Sequence, residues 1–559
     1  MKKSLFIILA IISFIQANAQ ANSNAIDLDV ASAEKIYVHV NTSMPFVGEY
    51  LYYKINCLKA GSNEYSDISK TAYLDLIDKN HKAVYSQMID LKDGKGYGDF
   101  FIPADIGSGN YKLIVYTNWM KNNLEHKFFE QDIFIINPYT SAQAEVRKDS
   151  IHYTKPVIKN NSNIKLSKSQ FHNREKVEVH LQNPDKGEYS VSIRQIDSLP
   201  HPAVISSTDF INSTGNSFQG GTKTYALPDL RGKLLSGKIS SKDNSSVSNK
   251  NLALSVPGED YFLRLAITDQ GGNFYINIDE NYVEQDALIQ VLNGNGKYEI
   301  NIKENDLPDI SGLEFKDYGI DFRSEQWIKD RSVYNQIENA YFSLKPDTIR
   351  VNHPKNIFDG LNKIVFDLDD YTRFETIRET FVEIVPFARV RNRDGKFEFG
   401  VLGKAPYENF DGKPLVVVDG LLLQDTDSFI RNFKSVRIDK IKIVQEPYYL
   451  SSAFYKGIII IETINGDFAE NYSRDYLKEL KLTTGNVRKN YFHQKYTEDH
   501  LSRLPDFRTQ LLWIPNLELN TSKNLSFYTS DVDGIFEISV QGFTADGHPV
   551  SYQHTFNVK

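Results

Sequence analysis

Between Ala33 and Pro138 apolar and polar residues alternate with period two. The segments "EKIYVHVN", "EYLYYKINCL", "TAYLDLID", "KAVYSQMIDL", "GYGDFFIP", "GNYKLIVYTNWM" and "FFEQDIFIINP" follow one another, most bounded by Gly, Asn, Asp or Pro. Seven short strands at this spacing predict a β-sandwich over 33–139. The polar stretch 140–163 reads as a linker. A second β region, 164–225, opens with "IKLSKSQFHNREKVEVHLQNPDKGEYSVSIRQID" and runs into an aperiodic Ser/Thr/Asn/Gly-rich stretch, 201–225, expected to be a long loop. Alternation resumes over 226–305, predicting another small sandwich.

The period changes at 324. In "SEQWIKDRSVYNQIENAYFSL" the residues Trp327, Ile328, Tyr334, Ile337 and Tyr341 recur at roughly helical spacing, and "YTRFETIRETFVEIV" is a second helix, stopped by Pro386. Together they form an expected helical connector over 320–386. Two uninterrupted apolar runs, "PLVVVDGLLL" and "YKGIIIIETINGD", then bracket "VRIDKIKIVQEP" within a compact βαβ-type module over 387–468. A short helix is expected in "SRDYLKELKL", and a last β domain over 500–559. The fold class is therefore mainly β: serial sandwiches, one small α+β module and a short helical connector.

Composition narrows what such a chain can do. The 559 residues carry a formal net charge of −8, which argues against nucleic acid, whose binding needs a basic face. Lys2 and Lys3 precede an apolar run from Leu5 to Ile15 and the small-x-small site Ala17-Asn18-Ala19, so 1–19 reads as a signal peptide with Gln20 as the mature start. No later stretch offers an uncharged apolar span for a membrane helix. Cys57 is the only cysteine, within a strand-like run, so an intrachain disulfide and a cysteine metal cluster are both impossible; a buried strand cysteine is expected.

Motifs for chemistry are scarce. "GNSFQGGT" has the glycine spacing of a phosphate-binding loop, but Gly221 stands where the lysine belongs. "GKGYG" and "GNG" lead into strands rather than helices and read as hairpin turns. Asp531, Asp533 and Glu537 around Gly534 lack the alternating ligands of a calcium loop, leaving an Asp-Gly hairpin as the better reading. His493 and His500 flank a polar patch without metal spacing. No nucleophile elbow is present. No catalytic residue, cofactor or metal is expected, and the chain is read as not an enzyme.

The stretch "EKIYVHVN…PFVGEYLYYKINC…AYLDLID…GYGDFFIPADIGSGNYKLIVYTNWM" resembles a macroglobulin-type domain of large exported Bacteroidota proteins, and "FHNREKVEVHLQNPDKGEYSVSIRQID" is similar to their second macroglobulin-like strand set. "LPDLRGKLLSGKIS…AITDQGGNFYINI" resembles a carboxypeptidase-regulatory-like β domain, and "LPDFRTQLLWIPNLELN…FYTSDVDGIFEISVQG" resembles the C-terminal β domain of the same proteins. "PLVVVDG", "VRIDKIKIVQEP" and "YKGIIIIETINGD" resemble the plug domain of TonB-dependent outer-membrane receptors. The resemblance implies immunoglobulin/macroglobulin-like sandwiches. It does not extend to the macroglobulin thioester, because Cys57 lies between Asn56 and Leu58. Nor does a receptor barrel of roughly 22 strands follow the module, since the residues after Asp467 alternate like a soluble sandwich.

Three functions follow as expectations. The first is a non-enzymatic adaptor or cap in the periplasm, associated with the outer membrane, whose plug-like module docks on an outer-membrane β-barrel protein or secretion translocon. Its candidate partner-binding residues are Asp419, Gly420, Asp425, Tyr448, Tyr449 and Phe454. Asp419 and Gly420 suit a turn, while the aromatics after Pro447 suit an interface or the module's own packing. The second is a ligand-binding protein, periplasmic or on the cell surface, recognising glycan, peptide or protein through loop 201–225 or the aromatics near Trp119 or Trp513. The third is an enzyme assembled from distant residues.

Overall fold

The computed structural model describes residues 33–559 apart from 126, 141–159, 183–184, 197–198, 215–225, 259–260, 279–285, 295, 304–305, 320–323, 350–356, 407–411, 451–452, 483–485, 487 and 497–502. The expected leader 1–19, most of the linker 140–163, the end of the loop 201–225 and His500 lie outside the described residues. The fold is mainly β, built of serial β-sandwiches with one α/β module. Among the described residues no helix is long and apolar enough to cross a membrane.

Seven strands between Glu34 and Ile135 make two antiparallel sheets. Tyr50–Lys59 is central in one, flanked by Glu34–Val40 and Lys95–Phe101; the other has the order Ala83–Asp90, Thr71–Ile77, Gly109–Tyr116, Phe129–Ile135. Their inward residues form one core that includes buried Cys57. Burial, and then the neighbouring Glu34 carboxylate, pushes the Cys57 thiol well up. Glu34 is itself satisfied by the hydroxyls of Ser66, Ser69 and Thr117.

The second sandwich joins segments far apart in sequence. Gly187–Gln195 lies between Gln510–Leu519 and Gly534–Thr544, and Pro549–Val558 extends the sheet. Lys176–Leu181, flanked by Ile164–Leu166 and Lys523–Tyr528, forms the facing sheet. The regions 164–225 and 500–559, expected as separate units, are thus one sandwich with 196–506 inserted into it. Alone, each part would leave strand edges with unpaired N–H and C=O groups and too few strands for a core. The Asp533-Gly534 step is a crossing between the two sheets, not a hairpin, and Asp531 there is held by Arg174 in a two-bond ion pair. The loop expected over 201–225 contains the helix Ser207–Ser213, capped by Ser206; its Phe210 packs on Tyr37, 5.5 Å between ring centres.

The third sandwich spans 233–303 and takes one strand from outside. Leu477–Lys481 pairs with Asp286–Val291 at its edge. This is the segment "SRDYLKELKL", whose Leu, Lys and Glu favour a helix in isolation. The unpaired sheet edge overrides that preference.

The α/β module has a five-stranded sheet in the order Ile364–Asp367, Ile438–Val444, Ile458–Thr463, Leu415–Val418, Leu421–Leu422. Leu415–Val418 and Ile458–Thr463 run parallel, with the helix Thr426–Asn432 between them in sequence. One face packs on that helix, on the helix Ile377–Glu383 and on the hairpin Ala388–Val401. The other packs on Ala253, Tyr261 and Leu263 of the third sandwich. Burial on both faces explains why Leu415–Val418 and the first four residues of Ile458–Thr463 are uninterrupted apolar runs. The expected connector 320–386 therefore divides. The strand 364–367 and the helix 377–383 belong to the module, whereas the helix Glu325–Ala340 lies on the N-terminal sandwich. There Arg331 makes a two-bond ion pair with Glu49 (2.8 and 2.7 Å), and Asn335 and Asn339 donate to the carbonyls of Val47 and Gly48.

A polar seam joins the first two sandwiches. Buried Lys54 and partly buried Lys95 both reach Glu188, at 2.6 and 3.2 Å. His39 Nδ1 lies 2.7 Å from Ser190 Oγ, and Asn41 donates to Gln510 at 3.0 Å. Burial lowers the His39 imidazole to about 3.

Two outcomes are expected at this seam. Glu188→Gln leaves the Lys54 ammonium buried without its full counter-charge and costs about 3 kcal/mol in urea denaturation, and Lys54→Met in the same background restores part of it. His39 is protonated in the unfolded chain before the folded one, so its contribution is complete above pH 6.5 and is lost progressively as pH falls toward 3. His39→Gln should flatten the decline of the urea midpoint below pH 6.5; an unchanged pH profile would contradict this.

Candidate binding surfaces

The six residues singled out in the module separate into two sets. Asp419 holds φ +45° at the end of Leu415–Val418, and its buried carboxylate accepts from Thr463 N (2.8 Å), Thr463 Oγ1 (2.6 Å) and Phe468 N (3.1 Å). It therefore ties the two parallel strands together at their ends. Gly420, at φ +83°, lies against the Tyr261 side chain, with no room for a Cβ. Its left-handed backbone and its contact with the third sandwich both require glycine. Asp425 caps the helix Thr426–Asn432 through Ser428 N (3.1 Å) and meets Arg474 at 3.3 Å. Tyr448 packs on buried Phe358, 5.7 Å between ring centres. These four residues serve the module's internal structure and its contact with the third sandwich, not a free surface.

Tyr449 and Phe454 differ. They sit directly opposite each other in the hairpin Tyr448–Leu450/Ala453–Tyr455, ring centres 5.3 Å apart and edge to face. Tyr449 is 70 % exposed, the most exposed of the large apolar or aromatic side chains among the described residues. An exposed tyrosine braced by a half-buried ring on a narrow hairpin loses little conformational freedom on contact, which suits an interface.

A second surface, not evident from sequence spacing, lies where the N-terminal sandwich, the helix Glu325–Ala340, the segment 342–347, residues 491–492 and the strand Gln510–Leu519 converge. They enclose a cleft of about 170 Å³. Tyr50 stacks on Phe342 (5.7 Å, 17°), Tyr52 on Trp513 (5.8 Å, 26°) and Tyr334 on Phe507 (4.8 Å, 5°), with Tyr491 edge-on to Tyr52. Period two places Tyr50 and Tyr52 on one face of their strand. The remaining rings come from segments hundreds of residues away. The only hint in sequence was the aromatic character around Trp513.

The charges around the cleft are compensated. Arg331 pairs with Glu49, Lys345 with Glu338 (2.7 Å), Arg508 with Asp506 through two bonds of 2.7 Å, and Lys489 bridges Asp99 and Asp347 (2.9 and 3.2 Å). Burial would raise the Asp506 carboxyl, but Arg508 and Lys345 outweigh it and hold it at about 2. Trp513, 3 % exposed, lines the cleft, and its indole Nε1 has no hydrogen-bond partner among the described residues. Trp119, the other tryptophan considered as a ligand contact, lies in the short 3-10 turn Trp119–Asn122 and not among the cleft's lining residues.

Among the described residues, Asp367, Asp369 and Asp439 approach closely enough to share a cation. All three already have cationic partners: Lys440 contacts Asp367 and Asp439, and Arg373 contacts Asp369.

No protein-family model matches the chain, and no curated protein matches it. Among solved structures it is similar to Salmonella α-2-macroglobulin reacted with methylamine, at 9 % identity and a TM-score of 0.24, covering 94 % of this chain and 39 % of that one. The native conformation of Escherichia coli α-2-macroglobulin gives 10 % identity and a TM-score of 0.23, covering 94 % of this chain and 40 % of that one. Dimeric latent PorU from Porphyromonas gingivalis gives 10 % identity and a TM-score of 0.15, covering 49 % of this chain and 33 % of that one. The chain thus spans less than half the length of these proteins, and its fold class rests on its own strand topology.

The contrast between the two sets in the module is testable. Gly420→Ala should lower the thermal midpoint by the equivalent of more than about 1 kcal/mol, from backbone strain and overlap with Tyr261. Tyr449→Ala should leave the midpoint unchanged, and equal losses in the two variants would contradict the assignment.

Proposed function

We propose that this chain is a non-enzymatic adaptor of the bacterial cell envelope. It is exported to the periplasm and docks through its plug-like module on an outer-membrane β-barrel protein or secretion translocon. One observation carries the reading: Tyr449 and Phe454 stand together on an otherwise short hairpin, with Tyr449 the most exposed large apolar or aromatic side chain among the described residues, while Tyr448 beside it packs inward on Phe358. An exposed tyrosine supported by a neighbouring ring is the kind of anchor that fills a pocket on a partner.

The geometry also shapes the mode of docking. Both faces of the module's sheet are already covered, one by its own helices and one by the third sandwich. Threading the module into a barrel lumen would strip away that second cover. Docking of the hairpin against a barrel rim or a loop leaves both cores intact, so the reading is of a cap or adaptor resting on its partner. A second reading, binding of a small ligand in the aromatic cleft, is favoured by the unpartnered indole of Trp513.

The adaptor reading is tested by recovering the tagged full chain from outer-membrane fractions in mild detergent. Recovery of one β-barrel protein at near-equal stoichiometry, reduced about tenfold or more by Tyr449→Ala/Phe454→Ala, is the expected result. Recovery of the chain alone in the soluble periplasmic fraction, or equal recovery with the double variant, would sink it.

A further inference from the structure

The aromatic cleft has a chemistry that narrows its ligand. We propose that it binds a neutral saccharide ring, an inference that rests on the cleft-binding reading above. Three features of the site point that way.

The first is electrical. Arg331, Lys345 and Arg508 of the cleft wall each face a carboxylate at hydrogen-bond distance, and Asp347 faces Lys489. The remaining lining cation, Arg194, lies in the field of the Glu537 carboxyl, so among the described residues a charged ligand would have to compete with an existing partner. The occupant that fits is uncharged.

The second is the shape and nature of the walls. Stacked ring pairs present flat π faces, and a pyranose offers a face of polarised C–H groups to set against them. Phe342 and Phe101, both partly exposed and both in contact with Tyr50, extend the aromatic surface. The volume of about 170 Å³ suits a single small ring rather than a drug-sized molecule. Trp513 lines the cleft, and its Nε1 is a buried donor with no acceptor among the described residues, so a sugar hydroxyl that reached it would supply a missing partner.

The third is what the site refuses. An extended peptide would add to the edge of Gln510–Leu519, which is hydrogen-bonded to a neighbouring strand on one side only. Two of its carbonyls are already taken by side chains near the cleft: Arg508 donates to Leu511 O (3.1 Å), and His493 bonds the Trp513 backbone. Side-chain capping of this kind blunts a strand edge against addition of another strand.

The test is calorimetric titration of the full chain with methyl glycosides of glucose, mannose, galactose and N-acetylglucosamine, after screening on an array of neutral oligosaccharides. Saturable binding is expected. Phe342→Ala, at a partly exposed position, and Trp513→Phe, which keeps one six-membered ring and removes the pyrrole ring with its N–H, should each weaken it about tenfold. Tyr449→Ala should leave it unchanged. Failure of every neutral saccharide to bind overturns the proposal, as does full binding by both cleft variants. A parallel titration with unstructured peptides separates the two failures: peptide binding lost in Phe342→Ala would overturn the saccharide but keep a binding cleft, whereas no binding of either class would remove both.

Discussion

The pairing of Gly187–Gln195 between Gln510–Leu519 and Gly534–Thr544 is the constraint on which the rest of the molecule depends. It closes a loop of more than three hundred residues, and the entropic cost of such closure grows only slowly with loop length. The return strands therefore need supply only ordinary sheet and core energy. Tyr189, Val191 and Ile193 from one side of the loop and Ile538 and Val540 from the other share one buried core. Everything from 196 to 506 is thereby an insertion whose two ends are anchored in the same sheet.

That closure sets the sandwiches side by side, and buried polar contacts together with ring pairs such as Tyr37–Phe543 and Tyr52–Trp513 define how they meet. Lys54, His39 and Ser190 are buried at the first seam, and Glu188 is partly buried there. Groups of this kind are costly when mispaired, so they fix one arrangement even where they add little net stability. At the far end of the insertion the joint is instead apolar and close: Gly420 against Tyr261, with Gln290 donating to the carbonyl of Leu422 at 2.8 Å. The α/β module is therefore held as part of the third sandwich rather than on a free tether, and its hairpin projects from a braced support. The cleft depends on the same closure, because it exists only where strands of the first two sandwiches and the helix Glu325–Ala340 are brought together.

Particular residues show where sequence reasoning worked and where it stopped. Uninterrupted apolar runs such as "LVVV" and "IIII" identified strands buried on both faces, since only a sheet covered twice removes the polar alternate positions. Asp419-Gly420 was legible as turn chemistry, because a left-handed step favours those residue types. By contrast, "LKELK" carried helical propensity, and an unpaired edge supplied by Asp286–Val291 decided the matter. Tyr448 and Tyr449 are adjacent and chemically identical, yet one is packed on Phe358 and the other is exposed. Nothing local distinguishes them beyond the two-residue alternation of a strand, and that alternation does not say which face meets a neighbour.

By itself the sequence determined local terms: that the period-two segments are strands, that Asp419-Gly420 is a turn, that Cys57 is a lone strand cysteine, and that the chain is net acidic. These depend on neighbours within a few residues, where period, propensity and charge act directly. Only the tertiary structure decided that two distant β regions are one sandwich, that a supposed helix is an edge strand, and that Tyr50, Tyr52, Phe342, Tyr491 and Trp513 face one another. Those outcomes arise from pairing and burial between segments far apart along the chain, and neither periodicity nor propensity records which distant partner an edge or a face will meet.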